Sequence, residues 1–390
     1  MKHYIKIAAI LFLRILLRVF YVFPVKRNRV LFSSFEGKNY GCNPKYIFEY
    51  FYGQYGGEYE YVWNIDDVGK IPDKYNVKTC RQLTLKHLYY FFTSHVIISN
   101  QPIIPFFPKR KKVLFINTTH GSGAYKKGGI NAAFVTKADR RCMVYMRNLR
   151  AKMIDYVISG CSAYTEIFTQ ETEYNINKDR FLSIGMPRND LFFEQGQDEK
   201  KKKIRMGLGI DAKVRVVLYA PTYRGSYRHT SAFQTDLDTS VICRAVKQRF
   251  GGTAVFLYRS HIIDKKQHLD FVMDVSGYQD MQELLLITDV FITDYSSSIW
   301  DFSLTGKPGF LFMPDLADYQ AEVSFHTSID TWPFPYSSST EELCEAIIKY
   351  DEEKAHEKIH KHHDLLGSYE NGHATSEVCK ILTKHMEKYK

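Results

Sequence analysis

DVSGYQDMQELLLITDVFITDYSSSIWDFSLTGKPGFLFM, residues 274–313, is the stretch that decides the fold. Its apolar pattern predicts a helix over residues 281–288, a buried strand over 289–293, a second helix over 297–304 and another strand over 308–313. This alternation is typical of a parallel sheet with helices packed on its faces. The stretch therefore predicts an α/β fold.

The turn between the central strand and its following helix is the first candidate site. Open α/β sheets bind ligands at the carboxyl ends of their strands, and a helix N-terminus favours an anion. A phosphate is therefore the expected ligand. The alternative is plain helix capping by Ser297 or Ser298, with Asp301 completing a capping box. The turn consists of Thr293, Asp294, Tyr295, Ser296, Ser297 and Ser298.

Length, charge and cysteine usage limit the class of protein. A chain of 390 residues is too long for one ordinary core, so two domains are expected. The net charge of +10 indicates an acidic partner, either anionic lipid or a phosphate-rich substrate. No nucleic-acid-binding pattern appears, so we expect no nucleic acid partner. The seven cysteines are scattered and lack C-x-x-C spacing, which favours a reducing compartment.

The N-terminal segment, residues 1–27, is both apolar and basic. Arg14 and Arg18 interrupt the apolar run, and such charges are costly inside a bilayer, which argues against a spanning helix. No small-x-small cleavage site precedes Pro24, which argues against a cleavable signal. The two arginines share a helical face, so we predict an amphipathic helix in the membrane interface with this basic face toward anionic headgroups. A buried terminal helix is the alternative.

Strand and helix patterns alternate in two series, which predict two Rossmann-like domains over residues 28–203 and 204–390. The polar run at residues 196–203 is interpreted as a linker, and residues 340–390 are predicted to be helical. The predicted strands of the first domain are 30–35, 59–65, 77–81, 96–99, 113–117, 156–159 and 181–184; strands 214–219 and 254–258 open the second.

A histidine follows a predicted strand of the first domain. His120 is followed by Gly121 and Ser122, with Lys126 and Lys127 close behind. Glycines let a ligand approach the backbone, and a histidine at a strand's carboxyl end is a candidate general base. A purely structural histidine is the open alternative.

Two loops of the second domain add hydroxyl groups and positive charge at strand ends. A nucleoside diphosphate needs hydrogen-bond donors for its oxygens and cations for its charge. These loops therefore favour phosphate binding over capping at the serine turn. The residues concerned are Thr222, Tyr223 and Arg224 in one loop and Arg259, Ser260 and His261 in the other.

Three histidines of the tail lie at spacings that could ligate a metal, but their Lys and Glu neighbours indicate a solvated helix face. They are His356, His360 and His363. We expect no metal site and no cofactor.

Taken together, these motifs resemble the CDP-glycerol:poly(glycerophosphate) glycerophosphotransferase family of teichoic acid and capsule synthesis. The resemblance implies a GT-B-like architecture, in which two Rossmann-like, doubly wound domains face each other across a cleft. It also implies bacterial enzymes bound peripherally to the cytoplasmic face of the membrane. The motifs are the opening stretch, LYAPTYRG (218–225), RSH (259–261), NPKYIFEY (43–50), the His120-Gly121 pair and YENGHAT (369–375).

The resemblance also implies the reaction. Such an enzyme transfers glycerol phosphate from CDP-glycerol to a hydroxyl of a lipid-linked teichoic acid or capsule acceptor and releases CMP. The two important histidines of the family fall on His120, expected to be the general base, and His261. The expected acceptor-side loop comprises Gly121, Ser122, Lys126 and Lys127. The expected donor phosphate site comprises Thr222, Tyr223, Arg224, Arg259, Asp294, Tyr295, Ser296, Ser297 and Ser298, with His261.

Three alternatives stay open. Many family members read His-Gly-Thr-Pro-Leu-Lys where this chain has His-Gly-Ser-Gly-Ala-Tyr-Lys, which is closer to ribitol-phosphate relatives, so a CDP-ribitol phosphotransferase is possible. The same fold also hosts sugar-nucleotide glycosyltransferases. The third alternative is a non-catalytic scaffold that binds an anionic polymer.

Overall fold

Two compact units make up the chain, Met1–Asp190 with Ser368–Lys390, and Leu191–Gly367. The boundary thus lies before the predicted one at residue 203, and the C-terminal segment packs with the first unit. The computed structural model describes residues 2–121, 123, 126–127, 137–222, 237–260 and 272–388.

The first unit is built on a single parallel sheet. Its strands are β1 (Lys26–Ser33), β2 (Glu60–Asn64), β3 (Lys78–Cys80), β4 (Ser94–Ser99), β5 (Leu114–Asn117), β6 (Tyr156–Ser159) and β7 (Phe181–Ser183). Their order is β3-β2-β1-β4-β5-β6-β7, with every neighbouring pair parallel. The order reverses between β1 and β4, the kind of switch point at which open sheets bind ligands.

The second unit has a parallel sheet of its own. Its strands are β8 (Arg215–Tyr219), β9 (Ala254–Tyr258), β10 (Met273–Asp274), β11 (Val290–Thr293), β12 (Gly309–Phe312) and β13 (Tyr336–Ser337). Their order is β10-β9-β8-β11-β12-β13, with a switch point between β8 and β11. The prediction of an α/β fold with two parallel sheets is confirmed, whereas the GT-B-like arrangement of two domains stays a prediction.

Helices connect these strands, and several begin at a residue whose side chain accepts a hydrogen bond from the first turn. Thr84, Asp238 and Asp351 do so, and each such cap is worth about 1 kcal/mol. The helices are α1 (Lys2–Leu16), α2 (Cys42–Tyr55), α3 (Leu85–Thr93), α4 (Lys137–Met153), α5 (Ser162–Thr169), α6 (Gln197–Gly207), α7 (Thr239–Phe250), α8 (Met281–Ile287), α9 (Ser298–Ser303), α10 (Leu316–Glu322), α11 (Thr340–Ile348), α12 (Glu352–Leu366) and α13 (Ala374–Glu387).

The predicted linker at residues 196–203 is wrong, because this polar run forms most of helix α6. The run itself contains no apolar residue, and Ile204, which follows it directly, is the buried residue of the helix. Arg205 then donates hydrogen bonds to the Ile287 carbonyl at 3.2 Å and to Asp289 at 3.1 Å. These contacts attach α6 to the second unit.

Helix α13 belongs to the core of the first unit rather than to the predicted second domain. Its apolar residues Val378, Leu382 and Met386 are buried in the same cluster as Phe48 of α2. Burial of this apolar face is the physical reason for the changed boundary.

Arg14 attaches the N-terminal helix to the first unit, although the sequence predicts that this residue faces the membrane headgroups. The Arg14 guanidinium donates to the carbonyls of Pro105 at 2.6 Å and Phe107 at 3.2 Å, so it does not point toward headgroups as predicted. Arg18 is exposed. None of the helices in the described part of the chain has the length and apolarity to cross a membrane. Exposed apolar side chains of the segment are Ile5, Leu11, Phe12, Ile15, Leu16, Val19 and Val22.

Candidate functional site

His120 lies directly after β5, beside the switch point of the first sheet. Its Nδ1 donates a hydrogen bond to the Asn100 carbonyl at 3.1 Å, and its ring lies 5.5 Å from that of Phe35. A carbonyl can only accept, so the proton of the neutral ring is on Nδ1. The lone pair of Nε2 is then available to accept a proton.

The surroundings of His120 favour this neutral form. Burial by the surrounding protein lowers the pKa of His120 below its ordinary value, and the positive charge of Arg188 lowers it further. The hydrogen bond to Asn100 acts in the opposite direction. The residue as a whole is nevertheless exposed to solvent. The ring therefore combines the ionisation state and the access that a general base needs.

Backbone strain is concentrated in the loops around His120. Phe35, Glu36, Cys42 and Thr119 have positive φ angles of 47°, 56°, 57° and 53°. Such conformations cost free energy in residues other than glycine and persist only where surrounding contacts enforce them. Strain of this kind often accompanies a functional site.

Asn43 is the residue that fastens these loops together. Its Nδ2 donates to the carbonyls of Thr118 at 2.8 Å and Thr119 at 3.2 Å, and its Oδ1 accepts from the Arg188 amide at 3.1 Å. Asn43 is fully buried. The first turn of α2 thereby fixes the segment that leads into His120.

The remaining acceptor-side candidates are only partly described. Gly121 follows His120 and is half-buried, as is Lys126, and Lys127 is exposed. Ser122 lies outside the described residues. The two lysines can supply positive charge on this side of the first unit.

In the second unit, a buried carboxylate joins two of the predicted loops. Asp294 accepts hydrogen bonds from the Thr222 amide at 2.8 Å, the Thr222 hydroxyl at 2.6 Å and the Tyr295 amide at 2.6 Å. Its side chain is completely buried. Asp294 therefore holds the ends of β8 and β11 in register.

Tyr295 extends away from the serine turn. Its hydroxyl donates to Asp315 at 3.0 Å, and its ring stacks on Tyr319 with the centroids 3.8 Å apart. The side chain is completely buried. Through these buried contacts, Tyr295 supports the serine turn.

The serine turn does not form the capping box that was the alternative to phosphate binding. Ser297 is the N-cap of α9, but its side chain makes no capping hydrogen bond. Asp301 instead accepts from Gln282 at 3.0 Å in the interior. The hydroxyl and amide of Ser298 both donate to the Ser296 hydroxyl, at 2.9 and 3.3 Å, and all three serines are half-buried. The hydroxyl of Ser297 is not committed to capping.

Arg259 carries a buried hydrogen-bond donor that has no partner within the part of the chain that the structure describes. Its backbone amide donates to the Tyr219 carbonyl at 2.9 Å, and the donor in question is Nη1 of its guanidinium. Burial lowers the pKa of Arg259 to about 10, with Asp280 and Tyr278 opposing the shift, so the group is charged at neutral pH. A buried donor left unsatisfied costs free energy, and a bound anion would offset that cost by accepting its hydrogen bond.

Three further candidates, Tyr223, Arg224 and His261, lie outside the described residues. Within the ranges that the structure describes, no three His, Cys, Asp or Glu side chains are grouped so that they could hold a metal ion. Of the three tail histidines, His356 contacts the Gly306 carbonyl at 2.6 Å and His363 contacts the Ser303 hydroxyl at 2.8 Å. His356 and His363 are therefore packed rather than solvated as predicted, whereas His360 is exposed.

Sequence reasoning missed Arg188 and the role of Asn43. A signal for Arg188 was present, because residues 185–190 follow the predicted strand 181–184 at the same sheet edge as His120. Asn43 opens the NPKYIFEY motif, but nothing in its local pattern indicates hydrogen bonds to residues 118, 119 and 188.

Comparison with known proteins identifies related sequences and structures. The family model described as CDP-Glycerol:Poly(glycerophosphate) glycerophosphotransferase matches residues 15–384. A teichoic acid poly(glycerol phosphate) polymerase of Bacillus spizizenii is 29% identical over 382 residues, covering 94% of this chain and 95% of the relative. The polymerase of the same name from Bacillus subtilis is 29% identical over 93% of this chain, which spans only 49% of that longer relative.

A solved structure is similar over nearly the same extent. The structure of the wall teichoic acid polymerase TagF superposes with a TM-score of 0.80 at 26% identity, covering 94% of this chain and 90% of the other. The similarity in sequence and in structure therefore extends over both units rather than over one sheet.

Proposed function

Because the chain belongs to the CDP-glycerol:poly(glycerophosphate) glycerophosphotransferase family, we propose that it transfers glycerol phosphate from CDP-glycerol to a hydroxyl group of a teichoic acid acceptor. The acceptor oxygen attacks the phosphorus that carries glycerol, and the bond between the two phosphates breaks. CMP leaves with the electron pair of that bond. The family match supports this reaction, and the two sets of loops supply the chemistry that it requires.

The observation that supports the donor site is the buried Nη1 of Arg259, which has no partner in the described ranges of the chain. We assign the diphosphate of CDP-glycerol to this guanidinium and to the serine turn of Ser296, Ser297 and Ser298. A charged donor and hydroxyl groups can stabilise both the bound diphosphate and the negative charge that develops on CMP. Thr222, Tyr223, Arg224 and His261 complete this proposed site, with Asp294 and Tyr295 supporting its loops.

His120 is the proposed general base. Its Nε2 accepts the proton of the acceptor hydroxyl as the new oxygen–phosphorus bond forms, while Nδ1 keeps its hydrogen bond to Asn100. General-base catalysis of this kind typically contributes about a hundred- to ten-thousand-fold in rate. Gly121, Ser122, Lys126 and Lys127 form the proposed acceptor-side loop.

The N-terminal segment is proposed to attach the enzyme peripherally to the cytoplasmic face of the membrane, where a lipid-linked acceptor would be available. Phe12 and Ile15 of α1 are 66% and 67% exposed, and Val19 of the following turn is 65% exposed. The Arg14 hydrogen bonds fix the opposite side of the helix to the protein. An apolar face held outward in this way can insert into the interface between headgroups and acyl chains.

A product assay tests the reaction. Purified full-length protein is incubated with a lipid-linked acceptor and CDP-glycerol, CDP-ribitol, or a UDP- or GDP-sugar, and nucleotide release and product mass are measured. Acceptor-dependent CMP release with addition of glycerol phosphate is expected. Addition of ribitol phosphate alone or of a sugar alone would assign one of the alternative transferases, and polymer binding without any turnover would favour the scaffold.

A further inference from the structure

Tyr295 connects the serine turn to the interior of the second unit. It directly precedes Ser296, and its side chain is completely buried. Its backbone amide donates to the Asp294 carboxylate at 2.6 Å, next to the hydrogen bonds that join β8 and β11. A rigidly held residue beside a turn limits the positions that the following residues can take. The contacts of the Tyr295 side chain therefore bear on the geometry of the three serines.

The hydroxyl group of Tyr295 binds a residue that follows the neighbouring strand. β11 and β12 pair in parallel, so the serine turn and Asp315 leave the sheet at the same edge. The Tyr295 hydroxyl donates to the Asp315 carboxylate at 3.0 Å. Asp315 is the N-cap of α10, but its side chain makes no capping hydrogen bond to that helix. An aspartate at an N-cap usually binds the first turn of its own helix, and here it binds Tyr295 instead.

The ring of Tyr295 packs against the same helix. Tyr319 lies one turn after Asp315, and its amide donates to the Asp315 carbonyl at 2.9 Å. Residues four apart lie on the same face of a helix, so both side chains can reach Tyr295. The Tyr295 and Tyr319 rings are stacked with their centroids 3.8 Å apart and their planes 8° from parallel. Helix α10 thus contacts Tyr295 with a carboxylate and with an aromatic ring.

Aromatic residues beyond α10 fix the other end of this part of the chain. The Phe325 ring lies 5.9 Å from that of Tyr295 and 6.1 Å from that of Tyr319. Trp332, which is buried, meets the Phe325 ring edge-on with the centroids 5.4 Å apart. These contacts hold residues 315–332 at both ends.

The hydrogen bonds inside the serine turn are local. The amide and hydroxyl of Ser298 donate to the Ser296 hydroxyl, and the Trp300 amide donates to the Ser297 carbonyl at 3.1 Å. Such bonds shape a turn but do not fix its place in the protein. The link from the turn to β11 runs through Tyr295, so the contacts of Tyr295 with α10 can decide that place.

We infer that Tyr319 and Asp315 are positioning residues for the proposed donor site: through Tyr295, they hold the serine turn in the geometry that binds the diphosphate of the donor. Stacked aromatic rings stabilise their arrangement beyond the area that they bury, and a binding site requires donors held within a fraction of an ångström. The inference rests on the proposed function for the identity of the ligand. The effect of α10 on the turn can be measured without any ligand.

Hydrogen–deuterium exchange of the ligand-free, full-length protein measures this effect. The amides of residues 295–300 include those bonded to Asp294, Ser296 and Ser297, so their exchange reports on the serine turn. Tyr319→Leu removes the stacked ring and should speed exchange in this stretch by roughly three- to tenfold. Tyr319→Phe keeps the ring and should exchange like the unaltered protein. Unchanged exchange in folded Tyr319→Leu overturns the inference.

Tyr174→Leu is the matched control, in the first unit. The rings of Tyr174 and Phe168 are stacked with their centroids 4.0 Å apart and their planes 8° from parallel, and Tyr174 is half-buried like Tyr319. The control should leave the exchange of residues 295–300 unchanged. An equal increase in both variants would show a general loosening of the protein and would overturn the positioning role.

Tyr295→Phe provides a second test if Tyr319→Leu fails to fold. This change keeps the stacked ring and removes the hydroxyl group that binds Asp315. Faster exchange of residues 295–300 supports the inference, because the turn has then lost one of its two contacts with α10. Exchange at the rate of the unaltered protein overturns it.

Donor binding separates this inference from the proposed function. In calorimetric titration, Tyr319→Leu should bind CDP-glycerol roughly three- to tenfold more weakly, and Tyr319→Phe should bind it normally. Undiminished affinity in Tyr319→Leu overturns the inference. If the unaltered protein binds no CDP-glycerol, the proposed donor site fails, and the exchange rates alone decide whether α10 positions the turn.

A double-mutant cycle tests whether Tyr319 acts through the serines. Ser297→Ala with Ser298→Ala removes hydroxyl groups from the turn, so its exact position matters less for binding. Adding Tyr319→Leu to this variant should therefore weaken CDP-glycerol binding by less than Tyr319→Leu does in the unaltered protein. An equal loss in both backgrounds would show that Tyr319 acts independently of the serine turn and would overturn the inference.

Discussion

The Asp294 carboxylate accepts hydrogen bonds from both the amide and the hydroxyl of Thr222, at 2.8 and 2.6 Å, in a fully buried position. The ends of β8 and β11 are thereby fixed to each other at the switch point of the second sheet. Rigid elements joined in this way can hold ligand-binding loops in one geometry.

Asp294→Asn should lower both the affinity for the donor and the stability of the fold. The amide replaces one acceptor atom by a donor, so a Thr222 or Tyr295 group loses its partner at a cost of about 1–3 kcal/mol. We expect a lower free energy of unfolding and roughly tenfold weaker CDP-glycerol binding. Denaturant unfolding and calorimetric titration measure the two effects. As a control, Thr222→Ser keeps the hydroxyl and should change neither the free energy of unfolding nor the donor affinity. If Asp294→Asn lost stability but bound CDP-glycerol as well as the unaltered protein, the assignment of these loops to the donor site would be contradicted.

Arg259→Met should separate binding from stability. The change removes a buried donor that has no partner among the described residues, but it also removes the charge that faces the buried Asp280, so the free energy of unfolding should change little. Donor affinity should fall by roughly tenfold or more, because a charge-assisted hydrogen bond to phosphate is lost.

Arg215→Met is the control for Arg259. Arg215 donates to the Gly251 carbonyl at 2.8 Å, so its replacement should lower stability and leave donor affinity unchanged. If Arg259→Met binds CDP-glycerol normally and loses stability, Arg259 is a structural residue and the donor site lies elsewhere.

The loss of stability of the second unit at acid pH should depend on His363. Burial lowers the pKa of His363 from 6.5 to about 4, so between these values the unfolded chain binds more protons than the folded one. The stabilisation is complete above pH 6.5 and is lost as the pH falls toward 4, on the order of 2 to 3 kcal/mol. His363→Gln does not titrate and can still bond Ser303, so unfolding curves at several pH values should show a shallower acid dependence. Equal slopes would show that His363 does not carry the effect.

Membrane binding should be lost when the outer face of α1 is charged. Phe12→Glu with Ile15→Glu changes two exposed side chains, so the fold should persist while sedimentation with anionic vesicles falls sharply. Leu365→Glu is the matched control on α12, where Leu365 is 72% exposed, and it should sediment like the unaltered protein. Undiminished vesicle binding of the doubly charged variant would exclude this face as the attachment site.

Local sequence patterns predicted the parallel sheets because each central strand is a short apolar run bounded by turn residues, as in residues 290–293. The polar run before Ile204 does not indicate a packed helix by itself, because the one buried residue of α6 lies beyond its end. The predicted direction of Arg14 is wrong because its partners are the carbonyls of Pro105 and Phe107, and no helical pattern indicates such partners.

The candidate residues were predictable to the extent that they follow strands. His120, Arg259 and the serine turn lie at strand ends that the sequence indicates. Arg188 was not identified, because its contacts join segments far apart in sequence, such as that between its amide and Asn43. Nothing in local periodicity encodes such contacts.

The central claim is tested most directly by measuring donor binding and acceptor-dependent CMP release side by side for the unaltered protein and His120→Ala. The account predicts CMP release from CDP-glycerol by the unaltered protein, and a loss of at least about a hundredfold in His120→Ala with donor affinity preserved. His95→Ala is a control, since His95 contacts the Arg27 carbonyl in the interior, and its turnover per folded molecule should be normal. CMP release by His120→Ala at the rate of the unaltered protein, or none from the unaltered protein with any lipid-linked acceptor, would contradict the account.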